Sequence, residues 1–380
     1  MIQNSKFKIQ NSIKRISGSK IEIRSRNKLT KHNLPLIYTP GVAKLSQKIA
    51  RKKKRVYDLT WKGSNVAIVT DGSAVLGLGN LGPEAALPVM EGKAALFKEL
   101  ANIDAVPIVL STQNTTKIIE TVKNIASGFG GINLEDISAP RCFEIEEKLV
   151  RELDIPVFHD DQHGTAIAVL AGLINALKVV KKDISRVRIV VSGAGAAGTA
   201  ITKLLKKYGA RNIIVFDSKG SLCCRCARDV QGAKKEIACA TNNDRYIKDL
   251  GTALQGADVF VGVSASNLLK KSDISKMNKR AIVFAMCNPE PEISYKEAKL
   301  GGATVVATGR SDFPNQINNA LVFPGIFRGA LDTRTKIISD KIKIKAALAI
   351  AGLVKNPKND RIVPEVLDKR VAKAVAGAFR

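Results

Sequence analysis

The sequence predicts an α/β protein of two units, each a parallel sheet covered by helices, the second one doubly wound and followed by C-terminal helices. Three observations predict it. From Val66 onward, short apolar runs alternate with longer amphipathic ones, the signature of parallel strands joined by helical crossovers. The glycine-rich stretch GAGAAG at 193–198 separates one such run from a helix-like segment. The length of 380 residues, 45% hydrophobic and 25% charged, is enough for two cores.

Taken in order, VAIVT (66–70), AVPIVL (105–110) and IPVF (155–158) read as strands because they are short, apolar and rich in β-branched residues. Between them, GPEAALPVMEGKAALFKELA (82–101), TTKIIETVKNIASGF (115–129) and APRCFEIEEKLVREL (139–153) read as helices. After His163 comes a long apolar helix, TAIAVLAGLINALKVV (165–180). A second alternation then begins at RVRIVVSGAGAAGTAITKLLKKYG, with strands predicted at NIIVFD (212–217), DVFVGVS (258–264), AIVFAM (281–286) and TVVATG (304–309). From about Arg328 the chain is helical and is expected to wrap back over the body. Two sheets imply two domains, 1–160 and 161–380, with a hinge near 160–165.

Composition narrows the function classes. No run approaches the ~18 apolar residues of a membrane-spanning helix, and the start MIQNSKFKIQNSIKRISGSK lacks the apolar block of a secretory signal, so a cytoplasmic chain with no membrane partner is expected. Six cysteines without regular spacing, three crowded as Cys223, Cys224 and Cys226, predict reduced thiols rather than a disulfide framework. Adjacent cysteines also make a poor chelate, which argues against a soft-metal site with Cys239. The 61 Lys+Arg against 34 Asp+Glu give a net charge of +27. The basic residues are scattered, clustering only at RKKKR (51–55) and KIKIK (341–345), and the few aromatics do not interleave with them. This pattern fits a solvated surface that steers anions, and it argues against nucleic acid as a partner.

The GxGxxG pattern occurs twice, at 77–82 and at 193–198. Only the second has the right context. It follows the run RIVVS, opens a helix, and precedes a strand ending in Asp217, where an adenosine ribose hydroxyl would be held. The turn Gly193-Ala194-Gly195-Ala196-Ala197-Gly198 is therefore the predicted dinucleotide site of a Rossmann-type unit. A carboxylate at Asp217 favours NAD over NADP, although Lys219 nearby weakens that inference. At 77–82, Asp104 precedes its strand, at the wrong end of the sheet, and Pro83 suits a helix's first turn; this stretch reads as a structural or pocket-lining turn.

The stretch VFHDDQHGT (157–165) places two acids and two of the three histidines within five residues. A zinc-hydrolase helix of the HExxH kind fits poorly, because Asp160 stands where a Glu base is needed and His159 ends a strand. Acids at the C-terminal end of a parallel strand suit a hard divalent cation, with Glu135 and Asp136 in GGINLEDISAP as the partners. The alternative is helix capping, by Asp161 for the helix from Thr165 and by Asp136 for the one from Pro140.

The blocks IYTPGVA (37–43), TDGSAVLGLGNLGPEAALPVMEGKAALFK (70–98), FGGINLEDISAPRCFEIE (129–146), PVFHDDQHGTA (156–166), GAGAAG and ATGRSDFPNQINNALVFPGIFRGAL (307–331) resemble the short prokaryotic malic enzymes over roughly residues 17 to 380. The resemblance implies a substrate- and metal-binding domain at 1–160, an NAD(P)-binding domain at 161–380, and at least a homodimer. It implies oxidative decarboxylation of (S)-malate to pyruvate and CO₂, with Mg²⁺ or Mn²⁺ and with NAD or NADP. Carried over by position, the metal ligands are Glu135, Asp136 and Asp161; Lys93 is the general base and Tyr38 the general acid; Asp160 assists the catalytic pair; Asn288 and Asn319 contact the substrate. A lysine acting as base near neutrality needs its pKa lowered by burial or by a nearby cation, which the metal supplies.

Some positions depart from the family pattern. Asn80 stands for the usual Asp, Ser111 for an acid and Cys287 for Ala, and SLCCRCARDV (221–230), just after Asp217, differs most, which bears on cofactor preference. An amino-acid dehydrogenase is the rival enzyme class, with the same order of domains and a catalytic lysine; such an enzyme needs no metal, so chelation separates the two.

Overall fold

A computed structural model of the chain describes residues 18–225, 232–241 and 246–380. Cys226 and the rest of the 226–230 stretch lie outside the described residues. The first sheet contains β1 (Asn65–Thr70), β2 (Asp104–Val109), β3 (Ile132–Leu134) and β4 (Val157–His159), all parallel in the order β2-β1-β3-β4. The second contains β5 (Arg188–Ser192), β6 (Asn212–Asp217), β7 (Gly220–Ser221), β8 (Val259–Gly262), β9 (Ala281–Ala285) and β10 (Ala303–Thr308), in the order β10-β9-β8-β5-β6-β7. Only the two-residue β7 runs antiparallel. In both sheets the first strand acquires neighbours on each side, so the chain reverses its progress between β1 and β3 and again between β5 and β8. At such points the connecting loops diverge and leave a crevice at the strands' C-terminal ends.

The helices that frame these crevices are α1 (Gly41–Arg51), α2 (Pro83–Ala101), α3 (Thr115–Ile125), α4 (Arg141–Glu152), α5 (Thr165–Val180), α6 (Ala196–Tyr208), α7 (Gly232–Ala240), α8 (Phe323–Thr333), α9 (Asp340–Gly352) and α10 (Arg370–Ala376). Helix α5 is apolar all round because it is buried all round: residues 166–177 are inaccessible, packed between α6 and α9. Its length and hydropathy would suit a membrane, but most of it lies in the core.

Strand β3 bears out the strand-to-loop junction expected at Glu135-Asp136, although no apolar run of its own marked its range. It is only Ile-Asn-Leu, and its entry depends on Gly130 and Gly131 rather than on an apolar run. A Cβ on Gly130 would lie 2.2 Å from the Lys62 carbonyl oxygen, and one on Gly131 2.9 Å from the Phe327 ring.

The C-terminal helices do return over the body, and aromatic packing joins the two sheets there. Phe97 on α2 lies 4.6 Å from Phe323 and 5.5 Å from Phe327 on α8, centroid to centroid, and Phe327 meets Phe158 of β4 edge-on at 6.1 Å. Such pairs contribute about 0.5–1.5 kcal/mol each beyond their buried area. One expectation is corrected here. Cys224 and Cys239 form a disulfide across a separation of 15 residues, which the tertiary fold, not the spacing, brings together.

Candidate active site

The predicted acids converge. Glu135 and Asp136 follow β3, and Asp160 and Asp161 follow β4, so all four stand at the C-terminal edge of the first sheet beside its reversal point. Ligand oxygens of Glu135, Asp136 and Asp161 lie within 4.8 Å of one another. The Asp136 backbone N–H donates to Asp161 Oδ2 at 2.8 Å, which couples the two loops. Asp136 has φ 52°, a left-handed conformation uncommon outside glycine, and its Oδ2 is buried with no hydrogen-bond partner. Glu135 is oriented by Asn133 Nδ2 at 2.9 Å. Neither Asp136 nor Asp161 caps a helix: α4 and α5 start at Pro140 and Gly164 without side-chain caps.

Lys93 enters from the opposite wall. It lies on the buried face of α2, one turn before Phe97, with Nζ 2.6 Å from Glu135 Oε2, hydrogen-bonded to Asp160 Oδ2, and 4.3 Å above the Phe323 ring. Asp160 is fully buried, and its Oδ1 stands where a Cβ on Gly164 would be, 1.9 Å away; only glycine fits there.

Four acids face one lysine; Lys93, Glu135, Asp136 and Asp160 are buried, and Asp161 is partly exposed at the cavity. Burial raises the Glu135 carboxyl to about 7, Lys93 pulling it down and Asp161 pushing it up. Burial, with Asp161 and Glu135 alongside, raises Asp136 to about 9. Burial likewise raises Asp161 to about 6 and Asp160 to about 7, each against the pull of Lys93. For Lys93, burial alone would lower the ammonium, but Asp160, Glu135 and Asp161 outweigh it and hold its pKa above the ordinary lysine value. Surplus negative charge, an orphaned carboxylate oxygen and three convergent oxygen donors together fit a hard dication. The lowered lysine pKa expected from the sequence is therefore not a property of the protein alone, because the uncompensated acids reverse it.

Lys93, Glu135, Asp136 and Asp161 line a cavity of about 440 Å³, together with Asn288, Asn319, Asn318, Thr165, Cys287, Ser264 and Gly77, while Asp160 reaches it only through Lys93. Gly77, from the first glycine pattern, approaches the other unit so closely that a Cβ would sit 2.6 Å from the Asn288 carbonyl oxygen. Of that pattern's departures, Asn80 exchanges two amide hydrogen bonds with Gln113, at 2.9 and 3.2 Å. The histidines of HDDQH do not share a ligand position. His159 is fully buried, and burial pushes its pKa down to about 4; His163 turns to Glu146 at 3.0 Å. Sequence reasoning missed Asn133, Asn318, Thr165, Ser264 and Glu146, residue types with no fixed spacing to the acids.

A second cavity, of about 990 Å³, lies at the reversal point of the second sheet, lined by Gly193, Ala194, Gly195, Asp217, Ser218, Lys234, Lys248 and others. Gly193 has φ 115°, and a Cβ on Gly198 would lie 1.8 Å from the Gly193 carbonyl oxygen, so the turn and the start of α6 can close together only as glycines. Gly195 has open space where its Cβ would be, leaving the helix N-terminus accessible to a phosphate. Ala197 reaches the smaller cavity, and Ala196 packs against the core of the first sheet. The cradle thus fits a dinucleotide. Ser264 lines both cavities, which meet there. Asp217 is not a bare carboxylate: Lys234 Nζ lies 2.9 Å from Oδ2 and the Lys219 backbone N–H 2.9 Å from Oδ1.

Tyr38 is not brought to either cavity. It is 69% exposed, directly after a short helix, Leu34–Ile37, that buries none of its residues.

Comparison with known proteins agrees with this architecture. A model described as malic enzyme, N-terminal domain matches residues 18–120 and 112–150, and one described as malic enzyme, NAD binding domain matches 162–379. The chain belongs to the malic enzyme family. It is 54% identical over 364 residues to the bifunctional malic/malolactic enzyme of Bacillus subtilis, covering 95% of this chain and 88% of that one. It is 44% identical over 368 residues to the NADP-dependent malic enzyme of Halomonas elongata, covering 92% and 86%. The crystal structure of the NAD-dependent malic enzyme of Thermotoga maritima superposes with a TM-score of 0.92 at 47% identity, covering 98% of both chains. The α/β fold with a Rossmann-type second unit is thereby that of the family.

Proposed function

We propose that the chain catalyses the oxidative decarboxylation of (S)-malate to pyruvate and CO₂, reducing NAD or NADP, with a divalent cation. Residues 1–160 would hold the metal and substrate and 161–380 the nucleotide. The observation that carries the proposal is the meeting, at Ser264, of a cavity holding three convergent acids and a buried lysine with a cavity built on a dinucleotide turn.

Glu135, Asp136 and Asp161 would hold Mg²⁺ or Mn²⁺, which when bound supplies Lewis-acid polarisation of the α-hydroxy acid and stabilises charge developing on its oxygen. The 193–198 turn would hold NAD(P)⁺, which would supply the hydride acceptor. Lys93 then takes the substrate hydroxyl proton. A dication held by these acids would offset the pull of Glu135 and Asp161 on the Lys93 proton, so that burial would oppose only the attraction of Asp160 and the Lys93 pKa would fall. Asp160, bonded to Lys93, keeps the amine aimed and shares its proton. The Asn288 and Asn319 amides donate to the substrate's carboxylates.

Tyr38, the general acid by family resemblance, needs delivery to this site. The apolar side chains beside it, Leu34, Leu36, Ile37 and Val42, are exposed, and so are Leu76, Leu78 and Leu81 at the cavity's edge. In the homodimer we propose, each segment covers the other's apolar patch and Tyr38 completes the partner's site. For cofactor, the Asp217 carboxylate suits the ribose hydroxyls of NAD, while its ion pair with Lys234 reduces the repulsion of a 2′-phosphate. NAD is the expected preference, with NADP accepted.

The deciding experiment follows reduced nicotinamide by absorbance, with malate and Mn²⁺ and each cofactor in turn. Turnover that disappears on chelation and returns with Mn²⁺ is expected. Activity that persists after complete chelation would overturn the proposal in favour of a metal-free dehydrogenase.

A further inference from the structure

We infer that Glu146, on α4, is the positioning residue of the acidic site: its carboxylate folds residues 159–163 into the turn that aims Asp160 at Lys93 and Asp161 at Asp136. The inference rests on the metal-site reading above and deepens it. Glu146 is buried, yet it touches neither the cavity nor any of the predicted ligands. Its Oε1 accepts from the backbone N–H of His159 at 2.8 Å, and its Oε2 accepts from Gln162 Nε2 at 2.9 Å and faces His163 Nε2 at 3.0 Å. These three donors bracket Asp160 and Asp161 on both sides while leaving the pair's own oxygens to Lys93, to the Asp136 N–H and to a cation.

The need for such an anchor lies in the backbone. Residues Asp160–Gly164 form a single turn of π type, a conformation rare outside functional sites and poor in local stabilisation. A carboxylate is the one side chain that can accept three hydrogen bonds from one direction without offering a donor. A glutamine at this position would turn an NH₂ toward donors that have no other partner. Because Glu146 accepts at His163 Nε2, that nitrogen carries the ring proton, and Nδ1 is left to accept from Lys343 Nζ of α9 at 3.1 Å. The same network thus fastens the returning C-terminal helix to the turn.

The test is direct Mn²⁺ binding, by electron paramagnetic resonance of the free ion or by calorimetry, on the full chain. Glu146→Gln is expected to weaken Mn²⁺ about tenfold, the low end of the range for residues bonded directly to metal ligands because Glu146 acts through the turn, with NADH affinity unchanged. Glu146→Asp should recover part of the loss, and Glu144→Gln, on the exposed side of the same helix, should bind Mn²⁺ as the wild type does. Wild-type Mn²⁺ affinity in folded Glu146→Gln overturns the inference. If that variant does not fold, Gln162→Ala and His163→Ala decide instead: each removes one donor and should weaken Mn²⁺ severalfold, and unchanged affinity in both overturns it. Failure of the wild-type protein to bind Mn²⁺ would strike the metal-site reading itself, whereas equal binding by wild type and variants strikes only the role of Glu146.

Discussion

Residue by residue, the acidic site is a set of costs that a cation would offset. Carboxyls that titrate near 6, 7 and 9 in the folded chain bind more protons than the unfolded chain does, so the metal-free protein gains stability as pH falls through that range toward ordinary carboxyl values near 4. Mn²⁺ should therefore raise the unfolding temperature most at pH 8–9, and its increment should shrink toward pH 5, where protons compete for the same oxygens. Thermal melts with Mn²⁺ or with chelator across that interval check this, and a pH-independent increment would refute it. Lys93→Ala should lower kcat by about 10²–10⁴-fold, the usual contribution of a general base, without changing NADH affinity. Gly164→Ala is a sharper probe. The backbone there has φ −61°, so alanine brings no backbone strain, but its methyl would occupy the place of Asp160 Oδ1 and should cost about 1–3 kcal/mol together with most of the activity. The types of these residues were legible in HDDQH and LEDIS. Their titration was not, since it depends on two acidic pairs from separate loops meeting around one buried lysine.

At the scale of elements, the glycine turn was the most legible part of the chain, because each of its three glycines answers to a different steric demand and the following strand ends in an acid. The partner of that acid was not legible. Lys234 comes from α7, beyond a segment whose composition departs from the family, and only the packing of α7 against α6 sets it against Asp217. Lys234→Ala should leave Asp217 without its ion-pair partner, only the Lys219 N–H remaining, and raise KM for NADP about tenfold or more while KM for NAD changes little; equal effects on both cofactors would contradict the role given to this pair. The aromatic joint between α2 and α8 works at the same scale. Phe327→Ala removes the ring that meets Phe97, Phe158 and Gly131, and should cost about 3–5 kcal/mol, read as a lower denaturant midpoint. Strand β3 shows the limit of reading elements by pattern: three residues carry no periodicity, and what makes them a strand is the pairing of Leu134 with Val69 on one side and His159 on the other.

At the scale of the whole molecule, Tyr38 lies exposed and outside the cavity that holds Lys93. If each site takes Tyr38 from a second copy, then mixing inactive Lys93→Ala with inactive Tyr38→Phe and allowing subunits to exchange should restore about a quarter of the wild-type activity, since half the dimers are mixed and each has one intact site. No recovery, with exchange verified, would place Tyr38 and Lys93 in one chain or remove Tyr38 from the reaction. The sequence by itself determined the longer strands and helices, the dinucleotide turn and the identity of the acids, because these follow from local periodicity, from glycine's steric freedom and from residue chemistry at strand ends. Only the tertiary structure decided the convergence of those acids on Lys93, the reversal of its expected pKa, the clamp at Glu146, the disulfide and the ion pair on Asp217. Each of these depends on distances between segments remote in the chain, and such distances are set by how the sheets twist and pack rather than by any neighbouring residues.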